Sequence, residues 1–436
     1  MTAHFAIIGS GPSGMYAADA LLEGIPDCHI DVYDRLPAPF GLIRYGVAPD
    51  HYKTKNTARQ FARTLDLPNV RFFGNVEIGR DISLDELKVF YDGVILAVGA
   101  YNDRPLGIPG EDLPGVYGAC AFVGWYNGHP DYRDLDPLLD SAAVAVVGVG
   151  NVALDVCRVL AKTVAEMDDS DIAEHALSAI HKAPLKNLYM FGRRGPIEAG
   201  FTPKELGELR ELERAVALID PKQLPDAVVG EFEGREKGVK EKNLTIFKEL
   251  ATHQPGTKPI TMKIEFYAAP KEILGTTRVE GIRMERTKVE NGKAISTGET
   301  FDVACGAVVK AIGYFSKAPV GVPMNGNGTI ANADGWVVDN LWVVGWSKRG
   351  PSGTIPTNGP ESRDVAQRVI AEYKSAQKMG DKPGRDAVTM LLNSRNVRIV
   401  DYAGFKKISA AEISRATGGH PQEKFTRIDE MLAVLG

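Results

Sequence analysis

The chain has 436 residues, of which 44% are hydrophobic and 25% charged, and its formal net charge at pH 7 is −5. This length predicts two or three domains, and the composition is ordinary for a globular protein. No apolar run approaches the roughly 18 residues that a transmembrane helix needs, and the negative net charge gives no reason to expect nucleic acid, so neither membrane insertion nor nucleic-acid binding is predicted.

The first predicted strand, His4–Ile8, leads into a glycine-rich turn and then an apolar helix. The turn reads Gly9-Ser10-Gly11-Pro12-Ser13-Gly14, which matches the fingerprint of dinucleotide-binding folds. Its first glycine allows a tight turn, the second lets a pyrophosphate approach the backbone, and the third lets helix and strand pack closely. The next predicted strand ends in Asp34, the position from which an acid hydrogen bonds a free ribose hydroxyl. The alternative is a purely structural glycine turn.

Residues 35–65 are predicted to form a proline- and glycine-rich loop followed by a helix. Tyr91–Ala100 is predicted to be a buried strand of the parallel type that ends at glycine. The next stretch, Arg104–Glu111, is rich in proline and glycine and cannot stay regular. We interpret it as the linker into a second domain.

The second domain contains its own fingerprint, Gly148-Val149-Gly150-Asn151-Val152-Ala153, after the predicted strand Ala142–Val147. The strand that follows, Leu188–Arg194, comes late, which indicates an insertion at Met167–Ala183. This strand ends in Arg193 and Arg194 instead of an acid. An arginine fork matches a 2′-phosphate in a bidentate manner, whereas an acid would repel it, so the pair predicts NADP here. The alternative is a solvated turn.

Beyond the second domain, Ala307–Gly313 repeats the apolar pattern that ends at glycine, and Trp336–Gly345 predicts one more strand. A glycine-rich turn, Gly345–Ile355, follows it and would direct backbone N–H groups toward an anion or a ring oxygen. The simplest topology is an α/β fold of two Rossmann-like dinucleotide-binding domains, with the second inserted into the first. The predicted bounds are 1–102 and 327–436 for the first domain and 103–326 for the second.

Together these stretches resemble the adrenodoxin-reductase family of FAD-dependent ferredoxin–NADP reductases. The resemblance implies FAD in the first domain and NADP in the second. It also implies hydride transfer from NADPH to FAD and the passage of single electrons to a ferredoxin-type iron–sulfur protein. The matching segments follow the family's order across nearly the whole chain: Gly9–Tyr16, the loop Pro39–His51, Gly148–Asp155, Arg193–Leu206 and Gly345–Ile355.

The motif glycines Gly9, Gly11, Gly14, Gly148 and Gly150 are candidate cofactor-binding residues from the fingerprints alone. The resemblance adds further residues toward FAD: Ser13, Asp34, Gly41, Leu42, Val76, Trp346, Gly353, Thr354 and Ile355. Toward NADP it adds another set: Asn151, Val152, Ala153, Arg193, Arg194, Glu205 and Gly353.

The resemblance also places two polar residues, His51 and Glu208, near the nicotinamide and flavin rings, where they would affect hydride transfer. The alternative is a structural hydrogen-bonded pair. Asp155 is a candidate for a further polar contact. No side chain is required as a covalent catalyst, because the cofactors carry the chemistry.

Two positions depart from the family pattern. The ribose acid is usually glutamate and is Asp34 here, one methylene shorter, which keeps the role but loosens the geometry. An arginine often follows Lys-Glu-Leu in the family, and this chain has Gly207. That departure puts one basic contact to the protein partner in doubt, and Arg210 is a candidate substitute.

A basic stripe is predicted to receive the iron–sulfur partner. Lys55, Arg59 and Arg63 are spaced by four, so on one helix they share a face. Lys53 precedes them, and no acid lies between His51 and Leu65. Such a stripe would steer an acidic ferredoxin in a transient, electrostatic contact. The alternative is an ordinary solvated face.

Three other functions share parts of this pattern. A flavin disulfide reductase needs a cysteine pair, but the four cysteines lie far apart and form no Cys-x-x-Cys motif. The same spacing gives no local zinc or iron–sulfur motif, so no metal site is predicted. A flavin monooxygenase needs a substrate pocket that no motif marks, and a redox-sensing flavoprotein would bind both nucleotides without turnover. No leader pattern precedes His4, which favours a cytoplasmic location, and the alternative is a mature form whose leader has been removed.

Overall fold

The computed structural model describes residues 2–375 and 382–436. The N-terminal part alternates strands and helices. Within it, the strands are buried on both faces, as expected of parallel strands covered by helices. Its elements are β1 His4–Ile8, α1 Pro12–Gly24, β2 His29–Tyr33, α2 Leu42–Tyr45, α3 Tyr52–Lys55, α4 Ala58–Leu65, β3 Val70–Phe73, α5 Leu84–Phe90 and β4 Gly93–Leu96.

The middle part contains the second glycine-rich turn, and its last strand pairs with its first strand. Its first helices and strands are β5 Asn102–Asp103, β6 Val116–Gly118, α6 Ala119–Tyr126, β7 Ala143–Val147, α7 Asn151–Ala161, α8 Glu174–Lys182, β8 Asn187–Phe191, α9 Pro203–Gly207 and β9 Ala215–Ile219. It continues with α10 Gly234–Leu250, β10 Ile260–Glu265, β11 Ala268–Leu274, β12 Gly281–Glu290, β13 Lys293–Ala304, β14 Ala307–Lys310 and β15 Tyr314–Phe315.

The C-terminal part returns to the N-terminal sheet and then becomes helical. Its elements are β16 Trp336–Val338, β17 Leu341–Val343, α11 Trp346–Arg349, α12 Asn358–Ser375, α13 Gly384–Ser394, α14 Tyr402–Ser414 and α15 Ile428–Ala433. No helix within the two described ranges is long and apolar enough to cross a membrane.

Two six-stranded sheets organise the chain. The first has the order β16-β17-β4-β1-β2-β3, and the second has the order β6-β14-β7-β8-β10-β9. In the first sheet β17 pairs in parallel with β4, with Leu341 opposite Val94, so segments from both ends of the chain share it. The short ribbon of β5 and β15 carries both crossings between the sheets side by side. The predicted α/β class, with one Rossmann-like unit inserted into another, is confirmed.

A separate antiparallel sheet, β11-β12-β13, covers one face of the second sheet. The apolar layer between them includes Ala145, Val147, Phe191 and Ile282, all buried. Helix α7 contributes to the core on the other side, where Leu154, Val156 and Leu160 are buried. The faces of the second sheet are therefore covered, and its glycine-rich turn lies at the carboxyl ends of the parallel strands.

Two predicted strands differ from the structure. The segment Trp336–Gly345 was predicted as one strand but forms two antiparallel strands, because Asp339 adopts a left-handed turn conformation with φ +47°. The strand before the two arginines ends at Phe191, so Arg193 and Arg194 lie in the following loop. The predicted insertion at Met167–Ala183 contains α8.

The predicted basic stripe is wrong at Lys55. The chain bends at Asn56 and Thr57, between α3 and α4, so Lys55 does not share a helix with Arg59 and Arg63. The Lys55 side chain is only 9% exposed because it turns inward to an acid of the middle part. Arg59 and Arg63 are exposed on α4.

That inward contact belongs to a buried group of charges, Lys55, Asp171 and Lys424, which we call the sealed cluster. Lys55 Nζ donates hydrogen bonds to Asp171 and, at 3.0 Å, to Oδ1 of Asn127. Lys424 Nζ lies 2.9 Å from the other carboxylate oxygen of Asp171. The cluster therefore joins the N-terminal, middle and C-terminal parts of the chain at one buried point.

Candidate functional site

The first glycine-rich turn joins β1 to α1 at the carboxyl edge of the first sheet. Gly9 has φ +112°, and a Cβ there would lie 2.3 Å from the carbonyl oxygen of Ala97. A Cβ on Gly14 would lie 2.1 Å from the carbonyl oxygen of Gly9, whereas one on Gly11 would meet no atom within 4 Å. Packing thus requires the outer glycines, and Gly11 faces open space where a pyrophosphate fits.

Asp34 follows β2 and turns its carboxylate toward this turn. Oδ2 accepts hydrogen bonds from the hydroxyl of Ser10 and from its backbone N–H at 3.3 Å, and Oδ1 accepts one from the backbone N–H of Leu36 at 3.0 Å. Burial raises the pKa of Asp34, and the hydrogen bonds from Ser10 and Leu36 oppose this. Val76, fully buried, donates its backbone N–H to the carbonyl of Asp34 at 3.0 Å. The acid is oriented by protein groups beside the turn.

The loop of Gly41 and Leu42 and the turn of Trp346 approach the same place. Gly41 precedes α2 and lies against Gly11, to whose Cα a Cβ on Gly41 would come within 3.2 Å. Ser13 Oγ donates to Oδ1 of Asn358 at 3.0 Å, which ties α1 to the start of α12. The structure therefore brings Gly41, Leu42 and Ser13 together around the first turn.

The third predicted element forms a strap from α11 to α12. Trp346 begins α11, and its indole Nε1–H donates to the carbonyl of Ser352 at 3.0 Å. Gly353 and Thr354 lead into α12 through the short 3-10 helix Ile355–Thr357, which the side chains of Thr354 and Thr357 cap. Since α12 packs beside α1, the strap lies over the first turn.

The second glycine-rich turn repeats the arrangement between β7 and α7. A Cβ on Gly148, whose φ is +136°, would lie 2.2 Å from the carbonyl oxygen of Ala311, whereas one on Gly150 would meet no atom within 4 Å. Asn151 and Val152 open α7 half-buried, and Ala153 is buried beneath them. Open space above the first turn of a helix suits a phosphate.

The two arginines lie beyond β8, and neither has an acidic partner among the residues that the structure describes. Arg193 is exposed, and Arg194 is half-buried with one long contact, 3.4 Å, to the carbonyl of Gly292. None of the acidic side chains in the described ranges forms an ion pair with either guanidinium. Their backbone carbonyls are anchored, that of Arg193 by the hydroxyl of Thr287 at 2.8 Å. Two unneutralised guanidinium groups on an anchored backbone suit a phosphate dianion.

Glu205 lies in α9, next to the second turn. Its carboxylate accepts a hydrogen bond from the hydroxyl of Thr202 at 2.9 Å. The backbone N–H of Thr202 donates to Oδ1 of Asn151, also at 2.9 Å, so α9 is tied to the first residue of α7. Gly200 donates its N–H to the carbonyl of Val149 at 2.8 Å and reinforces the link.

His51 and Glu208 meet across the cleft between the two sheets. His51 precedes α3, and Glu208 begins a short 3-10 turn after α9. His51 Nε2 lies 3.0 Å from Oε2 of Glu208, and the two side chains are 12% and 27% exposed. The structure thus brings the two predicted polar residues together at an accessible point of the cleft.

Two residues that the sequence interpretation did not single out complete this site, which we call the cleft cluster: Asp50, His51, Arg158 and Glu208. The Arg158 side chain is fully buried, and its Nη1 donates to Asp50 at 2.6 Å. Its Nη2 lies 2.5 Å from Nε2 of His51 and 2.9 Å from Oε2 of Glu208. Lys162, which directly follows the end of α7, donates to the same oxygen of Asp50 at 2.6 Å.

The charged groups of the cleft cluster and the nearby Asp155 shift one another's pKa values. Burial alone would lower the pKa of His51, but the hydrogen bond to Glu208 and the carboxylates of Asp155 and Asp50 outweigh it and raise that pKa. Burial would raise the pKa of Glu208, and the contacts with His51 and Arg158 reverse the direction. Burial raises the pKa of Asp155 to about 7 against the opposing charges of Arg158 and His51.

A signal for Arg158 existed in the sequence. It lies in the apolar run Val156-Cys157-Arg158-Val159-Leu160 of α7, and a charge inside a buried helix needs a buried partner. The sequence alone could not identify that partner, because Asp50 lies in another part of the chain. Perturbed ionisable groups that converge in a cleft are typical of functional sites.

Comparisons with known proteins agree with this geometry. Residues 3–184 match the family described as Pyridine nucleotide-disulphide oxidoreductase. The chain is 38% identical to the mitochondrial NADPH:adrenodoxin oxidoreductase of Homo sapiens over 463 aligned positions, which cover 100% of this chain and 92% of that protein. It is 38% identical to NADPH-ferredoxin reductase FprA of Mycobacterium tuberculosis, covering 99% of this chain and 98% of that protein.

The structure of Mycobacterium tuberculosis FprA in complex with NADPH superposes with a TM-score of 0.94 at 37% identity, covering 100% of both chains. The family resemblance predicted from the motifs is therefore confirmed over the full length. The chain belongs to the family of NADPH:adrenodoxin oxidoreductases and NADPH-ferredoxin reductases.

Proposed function

We propose that this chain is an NADPH:ferredoxin oxidoreductase that passes a hydride from NADPH to FAD and then single electrons to an iron–sulfur protein. The observation that carries the proposal is the pair of open glycine-rich turns, one per sheet, on either side of the cleft where His51 meets Glu208. When bound, FAD accepts two electrons together and releases them one at a time. The protein's contribution is to bind, orient and shield the two nucleotides.

The first turn is proposed to hold FAD. Gly11 leaves room for the pyrophosphate, and Asp34 takes a ribose hydroxyl while Ser10 and Leu36 hold it in place. The remaining residues proposed to line this site are Gly9, Ser13, Gly14, Gly41, Leu42, Val76, Trp346, Gly353, Thr354 and Ile355. The proposed FAD domain comprises residues 1–102 and 327–436.

The second turn is proposed to hold NADP, within a domain of residues 103–326. Arg193 and Arg194 would bind the 2′-phosphate through charge-assisted hydrogen bonds, for which no acidic side chain of the described chain competes. The other residues proposed to line this site are Gly148, Gly150, Asn151, Val152, Ala153 and Glu205. His51 and Glu208 would contact the rings where the two nucleotides meet.

The iron–sulfur partner is proposed to dock transiently through charge. Arg59 and Arg63 share one exposed face of α4, and Lys53 is exposed nearby. Long-range attraction of this kind raises association rates and is screened by salt. Arg210 is the candidate substitute for the arginine that the family often has at the position of Gly207. It is paired with Glu249 at 3.1 Å, so its charge is partly neutralised.

A cytoplasmic location remains a prediction from the sequence. The relatives include a mitochondrial protein of Homo sapiens and a protein of the bacterium Mycobacterium tuberculosis, so their names do not decide it. Fractionation of the native cells would test the prediction.

The function is tested with the purified chain in two steps. Heat release followed by chromatography is expected to give FAD, and NADPH-dependent reduction of an added ferredoxin is expected to follow. Recovery of FMN, or folded protein that carries no flavin, would contradict the FAD site. Flavin reduction by NADPH without onward transfer to any iron–sulfur protein would instead favour a redox sensor.

A further inference from the structure

The ring nitrogen Nε2 of His51 has two competing neighbours. Arg158 Nη2 lies 2.5 Å from it and Glu208 Oε2 lies 3.0 Å from it, while these two neighbours are themselves 2.9 Å apart. A guanidinium only donates hydrogen bonds, and a carboxylate only accepts them. Nε2 offers either one lone pair or one hydrogen, so it engages only one of the two at a time.

The choice is fixed by the proton on Nε2. When the ring is doubly protonated, Nε2–H donates to Glu208 and faces the like charge of Arg158. When the ring is the neutral Nδ1–H tautomer, Nε2 accepts from Arg158, and Glu208 keeps its direct contact with Arg158. The protonated ring therefore has Glu208 as its partner, and the neutral Nδ1–H ring has the buried guanidinium, which stays charged throughout.

We propose that Arg158 is a positioning residue that holds neutral His51 as the Nδ1–H tautomer, with Nε2 accepting from Arg158 and Nδ1–H presented to the bound nucleotides. The role of that N–H toward the nucleotides rests on the proposed function, whereas the tautomer itself does not. Among the described residues, none forms a hydrogen bond with Nδ1. This nitrogen is thus the one left for a ligand in the cleft.

The charges around the ring explain why Arg158 is needed. Asp50 and Glu208 are carboxylates, and the buried acid Asp155 lies 3.5 Å from Nη2 of Arg158. Arg158 and, further away, Lys162 are the cations that face them, and the buried phenol of Tyr126 lies nearby on α6. Without Arg158 the ring would face three acids and only one lysine, so it would retain a proton on Nε2.

Arg158 is anchored independently of His51. Its two terminal nitrogens donate to both oxygens of Asp50, at 2.6 and 3.3 Å, in a bidentate pair. Lys162 binds Asp50 at 2.6 Å and has no contact with His51, which makes it a matched control. Replacing Lys162 removes a cation from the same carboxylate without removing the donor to Nε2.

The test is histidine-selective ¹⁵N NMR of the full FAD-loaded chain, with the His51 signals assigned by comparison with H51Q. The expected wild-type spectrum, above the pKa of the ring, shows a protonated Nδ1 and an unprotonated Nε2. In R158Q the proton is expected on Nε2, with the His51 pKa raised by roughly one unit or more, because a like charge within reach has been removed. K162Q is expected to keep the wild-type tautomer, and R158K to restore it at least in part.

A second readout is the pH profile of flavin reduction by NADPH. The limb of this profile that reflects His51 should shift to higher pH in R158Q and should not shift in K162Q. Neutral wild-type His51 with its proton on Nε2 overturns the inference, and so does an R158Q spectrum equal to the wild-type one. If R158Q fails to fold, the wild-type tautomer alone decides. A chain with the expected tautomer but no NADPH oxidation would refute the proposed function and leave the tautomer assignment standing.

Discussion

The cleft cluster and the sealed cluster both combine basic and acidic side chains, but they differ in how far those side chains are exposed to solvent. Each buries a basic side chain completely, Arg158 in one and Lys424 in the other, and each joins segments that lie far apart in sequence. In the sealed cluster the members are at most 9% exposed. In the cleft cluster Glu208 is 27% exposed and Nε2 of His51 has two competing neighbours.

The difference separates a structural use of buried charge from a functional one. Complete burial fixes one arrangement, because removing Asp171 leaves two buried ammonium groups without their carboxylate. An accessible cluster with one alternative partner permits a proton to move without loss of the fold. We therefore expect mutations in the sealed cluster to change stability and mutations in the cleft cluster to change rates.

The largest expected effect is on stability in D171N. The substitution leaves Lys55 and Lys424 buried without their carboxylate, which costs about 3–5 kcal/mol when a buried pair is broken. The free energy of unfolding, measured by denaturant titration of the FAD-loaded protein, should fall by that amount. The rate of flavin reduction in the folded fraction should stay at the wild-type value. D134N, which breaks an exposed pair with Arg427, is the control and should change stability little.

The same cluster predicts a pH dependence. Burial would raise the pKa of Asp171, but the ammonium groups of Lys424 and Lys55 outweigh it and hold that pKa far below its usual range. A carboxyl group with a lowered folded pKa stabilises the protein above its unfolded pKa, about 3.9, and this contribution is lost as the pH falls toward the folded value. The stability difference between wild type and D171N should shrink as the pH falls below about 4. A difference that grows as the pH falls below about 4 would contradict this assignment.

The next largest effect is expected at the two unpaired arginines. Each charge-assisted hydrogen bond to the 2′-phosphate is worth roughly 1.5–3 kcal/mol. The double variant R193A/R194A should raise the KM for NADPH by tens-fold or more and barely alter that for NADH. Since neither side chain has an acidic partner in the described chain, stability should hardly change. Equal effects on both nucleotides would show that the arginines do not read the 2′-phosphate.

Within the cleft cluster, H51A and E208A should slow flavin reduction by about tenfold or more, the worth of a hydrogen bond to a charged group. FAD content should stay normal, because neither residue lies at the first glycine-rich turn. Rapid mixing with NADPH measures the rate. Wild-type rates in both variants would mean that the pair is structural, and the contrast between the two clusters would then fail.

The smallest effect is expected on docking. R59Q/R63Q should lower ferredoxin-dependent turnover at low salt and flatten its salt dependence, since attraction between exposed charges is screened over about 8 Å at physiological ionic strength. K55Q, whose side chain is buried, should instead lower stability and serves as the contrasting variant. Reduction of ferricyanide should survive in R59Q/R63Q. Unchanged ferredoxin turnover at every salt concentration would show that this face is only solvated.

The sequence was sufficient for the parts of the site that depend on local geometry. The glycine-rich turns were predictable because a tight turn and a close helix–strand contact restrict Gly9, Gly14 and Gly148 to glycine. The two arginines were predictable because they follow a strand at a fixed place in that motif. The inserted topology followed from the repeated apolar strands on either side of the second fingerprint.

The parts that depend on distant segments could not be predicted. Helical spacing placed Lys55 on an exposed face, but Asp171 and Lys424, which draw it inward, lie in two other parts of the chain. Arg158 was missed for the same reason, since Asp50 is brought to it only by the packing of the two sheets. Pairing of buried charges over long sequence distances leaves little local signal beyond a charge inside an apolar run.

Anaerobic rapid mixing of the FAD-loaded chain with NADPH tests the central claim most directly. The account predicts that NADPH bleaches the flavin absorbance faster than NADH does, and that oxidised ferredoxin added afterwards restores the absorbance as it becomes reduced. A flavin that NADPH does not reduce, or a reduced flavin that no ferredoxin reoxidises, would contradict the account.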